Sequence, residues 1–181
     1  STVAIAIMFS SLFSTDYGLI NAGLGAAFGT APVDWLGQPQ NVKPAVAFIV
    51  FWRYLGFNVV LYLAALQTIP KDLYEAASLD GASPWRQFLH ITLPGLMPMI
   101  YFGVTLSVIG GLQLFEEPFI LTGGKGGPDQ ASMTAAVSLY RMAFDFNDFG
   151  GASAMSWLLF ALVAAMTWAT NRAFRRRRAP R

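Results

Sequence analysis

The sequence predicts an all-α fold, a polytopic transmembrane helical bundle forming one domain over 1–181. Three observations carry that prediction. Hydrophobic residues fill 55% of the chain and charged residues only 12%, whereas a soluble domain carries about a quarter charged. Apolar runs long enough to cross a bilayer recur at 45–66, 95–115 and 152–170. Between the first two runs stands a compact, charged, helix-capable stretch from Tyr74 to Pro94. Its Glu75, Asp80 and Arg86 have no place in hydrocarbon, where each charge at the centre costs about 2.5–3.5 kcal/mol or more. The stretch must therefore sit outside the membrane, held against its surface, as a docking knob for a soluble partner.

Taken in order, Val3 to Phe13 is apolar but reaches only about 17 Å as a helix, against a hydrocarbon core about 30 Å thick. It is read as the outer half of a partial span (1–13), with further spans expected upstream; the chain shows no initiating Met and no signal peptide. Residues 14–44 are rich in Gly, Pro, Asn and Asp and predict an irregular loop. Tyr17 and Trp35 there suit an interfacial aromatic belt. Residues 45–66 make the first complete span, about 33 Å as a helix. Arg53 lies about two turns below its outer end, within snorkelling reach of the interface. Asn58 sits near mid-depth, and Gly56 admits a close backbone. Arg53, Tyr54, Phe57, Asn58 and Leu61 share one helical face, and a polar, aromatic stripe in a span faces protein or water rather than lipid.

In the loop 67–94, Asp72 is placed to cap a short helix, with Glu75 completing an arrangement like a capping box. Gly81 ends that helix. Ser83-Pro84 restarts another, serine at the cap and proline at its first position. Two short helices around a glycine elbow are expected, with Leu73, Ala76, Ala77 and Asp80 to Gly81 marking where another surface must come close. In the span 95–115, Ser107, Gly110, Gly111 and Gln113 interrupt the apolar surface, either at helix crossings or along a pathway. Glu116-Glu117-Pro118 ends it; the two glutamates, adjacent and so divergent on a helix, read as solvated charges at a membrane edge. The glycine run in 119–148 is not a phosphate-binding loop. That pattern needs glycine at 119 and Ser or Thr at 126, where Phe119 and Gly126 stand. No nucleotide site follows from it.

Formal charge is +2, and six of the twelve basic residues lie in the tail, Arg172, Arg175 to Arg178 and Arg181. Placed directly after the span 152–170, they read as a cytoplasmic anchor rather than a nucleic-acid tail. A cytoplasmic C-terminus puts 67–94 on the cytoplasmic side and the loops 14–44 and 116–148 outside. Cysteine is absent and His90 is the only histidine, so no tetrahedral zinc set exists, and His90 reads as structural. No Ser-His-Asp set assembles on one side of the membrane. Catalytic and metal-ligating residues are therefore not predicted.

Glu75-Ala76-Ala77, three residues, Gly81, nine residues, Ile91, one residue, Leu93-Pro94 resembles the EAA loop of bacterial ABC importer permeases. Seven fixed positions over twenty residues between two spans make a specific signal. Leu66-Gln67-Thr68-Ile69-Pro70 ahead of it, and Leu121-Thr122-Gly123-Gly124 with Gly126-Gly127-Pro128 after it, look most like the maltose-type sugar permeases; Lys125 departs from that pattern. The resemblance covers nearly the whole chain but only the second part of a typical member. It implies a multi-pass subunit of the bacterial inner membrane, working with two ABC ATPase subunits, a second permease subunit and an extracytoplasmic solute-binding protein. ATP and Mg would be held by the ATPase partners, with no cofactor on this chain. It assigns ATPase coupling to Asp72, Glu75, Ala76, Ala77, Asp80, Gly81, Trp85 and Phe88. It also places a sugar pathway around Arg53, Tyr54, Phe57, Asn58, Ser107, Gly111 and Gln113, whose planar polar and aromatic groups suit a sugar. A permease for a polyol phosphate, peptide or amino acid is the alternative within ABC importers. An ion-driven carrier is disfavoured, because no complete span has Asp or Glu in its middle.

Overall fold

The computed structural model describes residues 1–178; Arg181, and the side chains of Arg175 to Arg178, lie outside the described part. In chain order the helices are α1 (Thr2–Leu12), α2 (Leu19–Phe28), α3 (Pro39–Gln67), α4 (Lys71–Leu79) and α5 (Pro84–Gln87). A π-helical turn (Phe88–Thr92) then leads into α6 (Leu93–Leu112). After it come α7 (Glu116–Leu121), a 3-10 turn (Pro128–Gln130), α8 (Ala135–Phe144) and α9 (Phe149–Arg178). Among the described residues there is no strand. Three helical runs are long and apolar enough to cross a membrane: Pro39–Gln67, Pro84–Leu121 and Phe149–Phe174. The all-α, three-span reading holds.

The boundaries move, for local reasons. α3 begins at Pro39, not at 45, because proline at the first helical position has a suitable φ and no bond to lose. Pro44 then sits inside the helix and forgoes one backbone bond there. α9 begins at Phe149, not 152. The Asp148 carboxylate accepts the Gly151 N–H at 2.8 Å, so Gly150 and Gly151 form the helix's first turn. α6 stops at Leu112, so Gln113 lies in the turn between α6 and α7.

The two predicted outer loops are largely helical. Residues 14–44 contain α2, which turn-residue density concealed; it closes on Gly29 in the left-handed region, φ 64. The stretch 116–148 contains α7 and α8. Glu116 and Glu117 occupy the first turn of α7, where carboxylates favour the helix N-terminus. The Thr134 hydroxyl caps α8, accepting the Val137 N–H at 3.2 Å. Between them, Gly124 has φ 76 and is buried against Phe119; a Cβ there would lie 2.8 Å from a ring carbon.

The chain forms two compact units, the first comprising Ser1–Arg53 and Gly110–Ala164, the second Tyr54–Ile109 and the stretch from Ala165. In the first, Phe9 and Phe13 pack on Ala45 and Ile49, with Ile20, Trp35, Leu36 and Leu121 around them. Phe9 meets Trp52 edge-on at 5.2 Å, and Phe13 meets Trp35 at 5.6 Å.

In the second unit α6 lies close to α3 at buried Gly103, where a Cβ would stand 2.6 Å from the Tyr62 hydroxyl and 3.6 Å from Asn58 Oδ1. Small residues at such crossings let helix backbones approach. Gly56, expected to serve that purpose, faces open space: a Cβ there would have nothing within 4 Å. Tyr101 of α6 packs on Phe174 of α9 at 5.3 Å. Gly103→Val should therefore lower stability by about 1–3 kcal/mol through overpacking. Thermal melting in detergent checks it; an unchanged midpoint would remove Gly103 from the packing argument.

Candidate functional site

The segment between the first two long runs folds as a pinned hairpin. Pro70, not Asp72, is the N-cap of α4, and no side chain caps it; Asp72 lies in the first turn, so the predicted capping box does not form. The far end is as expected. Gly81 has φ 74, its N–H bonds Ser78 O at 3.1 Å, and the Ala82 N–H bonds Ala77 O at 2.9 Å. That pair of bonds is a Schellman turn, which needs a left-handed residue at this position. The chain then turns into α5, with Ser83 at the cap and Pro84 first. The second arm is not a separate short helix: α5 passes through the π-helical turn into α6 without a break.

Cross-links hold the two arms together. The Tyr74 and Thr92 hydroxyls lie 2.8 Å apart. Gln87 Nε2 donates to Ser78 Oγ at 3.0 Å and to Ala82 O at 3.1 Å. Tyr74, Ala77 and Ser78 follow the three-and-four spacing of one helical face, the face turned to the second arm. Ala77, predicted as a docking residue, is thus partly covered by its own hairpin.

The opposite face carries Asp72, Glu75, Ala76 and Leu79, all exposed, Leu79 at 90%. Asp80 and Gly81 are exposed at the turn, and Leu73 is half-exposed in the first turn of α4. On the second arm Trp85 and Phe88 stack at 5.6 Å, 68% and 42% exposed. An apolar surface fringed by carboxylates thus faces outward from a rigid base. Leu79 and the pins Tyr74, Ser78, Gln87 and Thr92 escaped the sequence reading. The helical spacing of 74, 77 and 78 was the available signal. His90, read as structural, has Nδ1 3.0 Å from the Arg86 carbonyl oxygen.

The predicted pathway residues separate into two groups. The Arg53 guanidinium is bonded to Glu117, and Glu116 lies 3.9 Å from the same nitrogen. Glu117 is 1% exposed, so it is no solvated edge charge. Packing of α7 carries it inward, where only a paired carboxylate is tolerable. Adjacent glutamates approach one cation here rather than diverging. In the second unit Tyr54 and Phe57 are exposed at 41% and 56%, and Asn58 donates to the Tyr54 carbonyl at 2.8 Å. Ser107 is exposed, and in the first unit Gly111 is exposed with nothing within 4 Å of a Cβ there among the described residues.

These features define a polytopic membrane component that presents a braced helical hairpin between two spans. The chain belongs to the family of binding-protein-dependent transport system inner membrane components, whose model matches residues 1–179. It is 37% identical over 179 residues to the lactose transport system permease protein LacF of Rhizobium radiobacter, covering 98% of this chain and 60% of that protein. It is 40% identical over 169 residues to the trehalose/maltose transport system permease protein MalF of Thermococcus litoralis, covering 92% and 55%. The arabinooligosaccharides transport system permease protein AraP of Bacillus subtilis matches at 31% over 167 residues, covering 92% and 53%. The chain therefore spans about 60% or less of these relatives' length. Its fold is that of a chain in the crystal structure of a bacterial ABC transporter importing the acidic polysaccharide alginate. The TM-score is 0.79 at 23% identity, over 99% of this chain and 62% of the other.

Proposed function

We propose that this chain is the coupling half of a transmembrane subunit in an ATP-driven, binding-protein-dependent sugar importer. The observation that carries it is the hairpin: the motif residues Asp72, Glu75 and Ala76 stand on one exposed face of a helix braced from behind. A helix so held moves as a rigid body when a groove that receives it closes. The ATPase subunits, two in number, supply that groove and hold the ATP and Mg. Glu75, Ala76, Asp80, Gly81, Trp85 and Phe88 form the contact surface, to which Leu79 is added. Ala77 contributes through the backbone close to Gly81.

A second permease subunit completes the pathway, and an extracytoplasmic solute-binding protein delivers the sugar. Relatives named for lactose, trehalose and maltose, and arabinooligosaccharides support a carbohydrate cargo. Tyr54, Phe57 and Asn58 are the pathway residues favoured on α3. Their aromatic and amide groups match the C–H faces and hydroxyls of a sugar. The arginine-rich tail supports a cytoplasmic C-terminus and a cytoplasmic hairpin.

A photo-crosslinking residue at Leu79, in the intact transporter in membranes, is expected to capture the ATPase subunit; the same residue at Tyr54 should not. Capture from position 79 of lipid alone, or of the external binding protein, would overturn the reading.

A further inference from the structure

The ten-residue helix α2 is about 15 Å long, half the hydrocarbon thickness, and cannot cross a bilayer. No ionisable side chain occurs from Gly18 through Val33. Its polar side chain is fully engaged: Asn21 Nδ2 donates to Val33 O at 2.9 Å and Ser14 O at 3.3 Å. Asn21 Oδ1 accepts the Val33 N–H at 3.1 Å and the Trp35 indole N–H at 3.0 Å. Ile20 enters the core of Phe9, Phe13, Ala45 and Ile49, and Trp35 packs on Phe13. The helix is thereby fixed at the level where α1 ends and the spanning helix α3 begins.

Away from that core the segment leaves large apolar groups uncovered. Tyr17 is 75% exposed, Leu19 70% and Phe28 76%. Ala22, Gly23 and Ala26, which follow Leu19 at helical spacing, are exposed too. Burying a Leu or Phe side chain is favourable by about 1.5–3 kcal/mol relative to leaving it in water. Ile20 packs beside Ala45 and Ile49 near the start of the spanning helix α3, whose Phe48, Phe51 and Trp52 are themselves exposed. Tyr17 and Phe28 at the two ends of this uncharged helix, beside the start of a span, match the aromatic belt of the headgroup–acyl boundary.

We propose that α2 is an interfacial anchor, lying flat in the boundary layer of the lipid leaflet at the α3 N-terminal end. Its partner is phospholipid, and Asp16, just ahead of it, stays in water. The inference goes beyond coupling and cargo and depends on neither.

Single nitroxide labels at Leu19→Cys, Ala26→Cys and Phe28→Cys, with Asp16→Cys as reference, test it in the complete transporter. The host is vesicles of phosphatidylethanolamine and phosphatidylglycerol, and retained transport by each variant reports an intact fold. Power saturation should give the three α2 labels several-fold greater collision with oxygen than with a soluble nickel chelate, and the reverse at position 16. Nickel collisions at the α2 labels matching those at position 16 would place the helix in water. Exclusion of both reagents would place it against another subunit. Either result overturns the proposal.

Discussion

Replacing Glu117 with alanine is expected to destabilise the protein by about 3–5 kcal/mol, the magnitude of breaking a buried ion pair on one side. For a chain of this size that corresponds to a fall of roughly 10 °C in melting midpoint. Glu117 is 1% exposed and bonded to the Arg53 guanidinium, whose own side chain is 27% exposed. Truncation removes the buried carboxylate and leaves the guanidinium with the more distant Glu116, 3.9 Å away and half-exposed. Glu117→Gln keeps a hydrogen-bond acceptor and should lose less. The double change Arg53→Met with Glu117→Leu should return close to wild type, because it removes both desolvation penalties together. Thermal unfolding of the purified transporter in detergent separates these outcomes. A double variant as unstable as Glu117→Ala would mean the pair is not the source of the loss.

Gly81→Trp is expected to abolish transport and co-purification of the ATPase subunits while leaving membrane insertion unchanged. The chain itself offers room, since nothing lies within 4 Å of a Cβ at Gly81. The intramolecular penalty is the left-handed φ of 74, about 1–2 kcal/mol for a residue with a Cβ. Gly81→Ala carries that strain with almost no bulk, so it should insert, retain most ATPase binding and lose a little stability. The contrast between the two isolates the steric demand of the docked partner from the strain of the turn. ATPase subunits co-purifying normally with the tryptophan variant would refute docking at this elbow.

The helical class and the long spans were legible because hydropathy over twenty residues integrates many weak signals. The hairpin was legible too, since Gly81 and Ser83-Pro84 carry local chemistry that decides the backbone. Short elements at the membrane rim were not. α2 is hidden among turn residues, and its order comes from Asn21 bonding to residues 7 and 12 positions away, which no local pattern announces. Arg53 and Glu117 lie 64 positions apart. Each taken singly obeys the rule that charges seek water, and only packing reveals that they satisfy one another. Gly56 and Gly103 make the same point: both are glycines in spans, yet the neighbour that requires one stands beside only the second.

The π-helical turn Phe88–Thr92 sets an angular phase between the two ends of one continuous rod. A π turn accommodates an extra residue within an α-helix, so the azimuth of Trp85 relative to Gly103 is offset by roughly 100° from a plain α-helix. Insertion or deletion of a residue within 88–92 would swivel the aromatic pair away from its bearing. The span could keep its own packing, and the two would fall out of step.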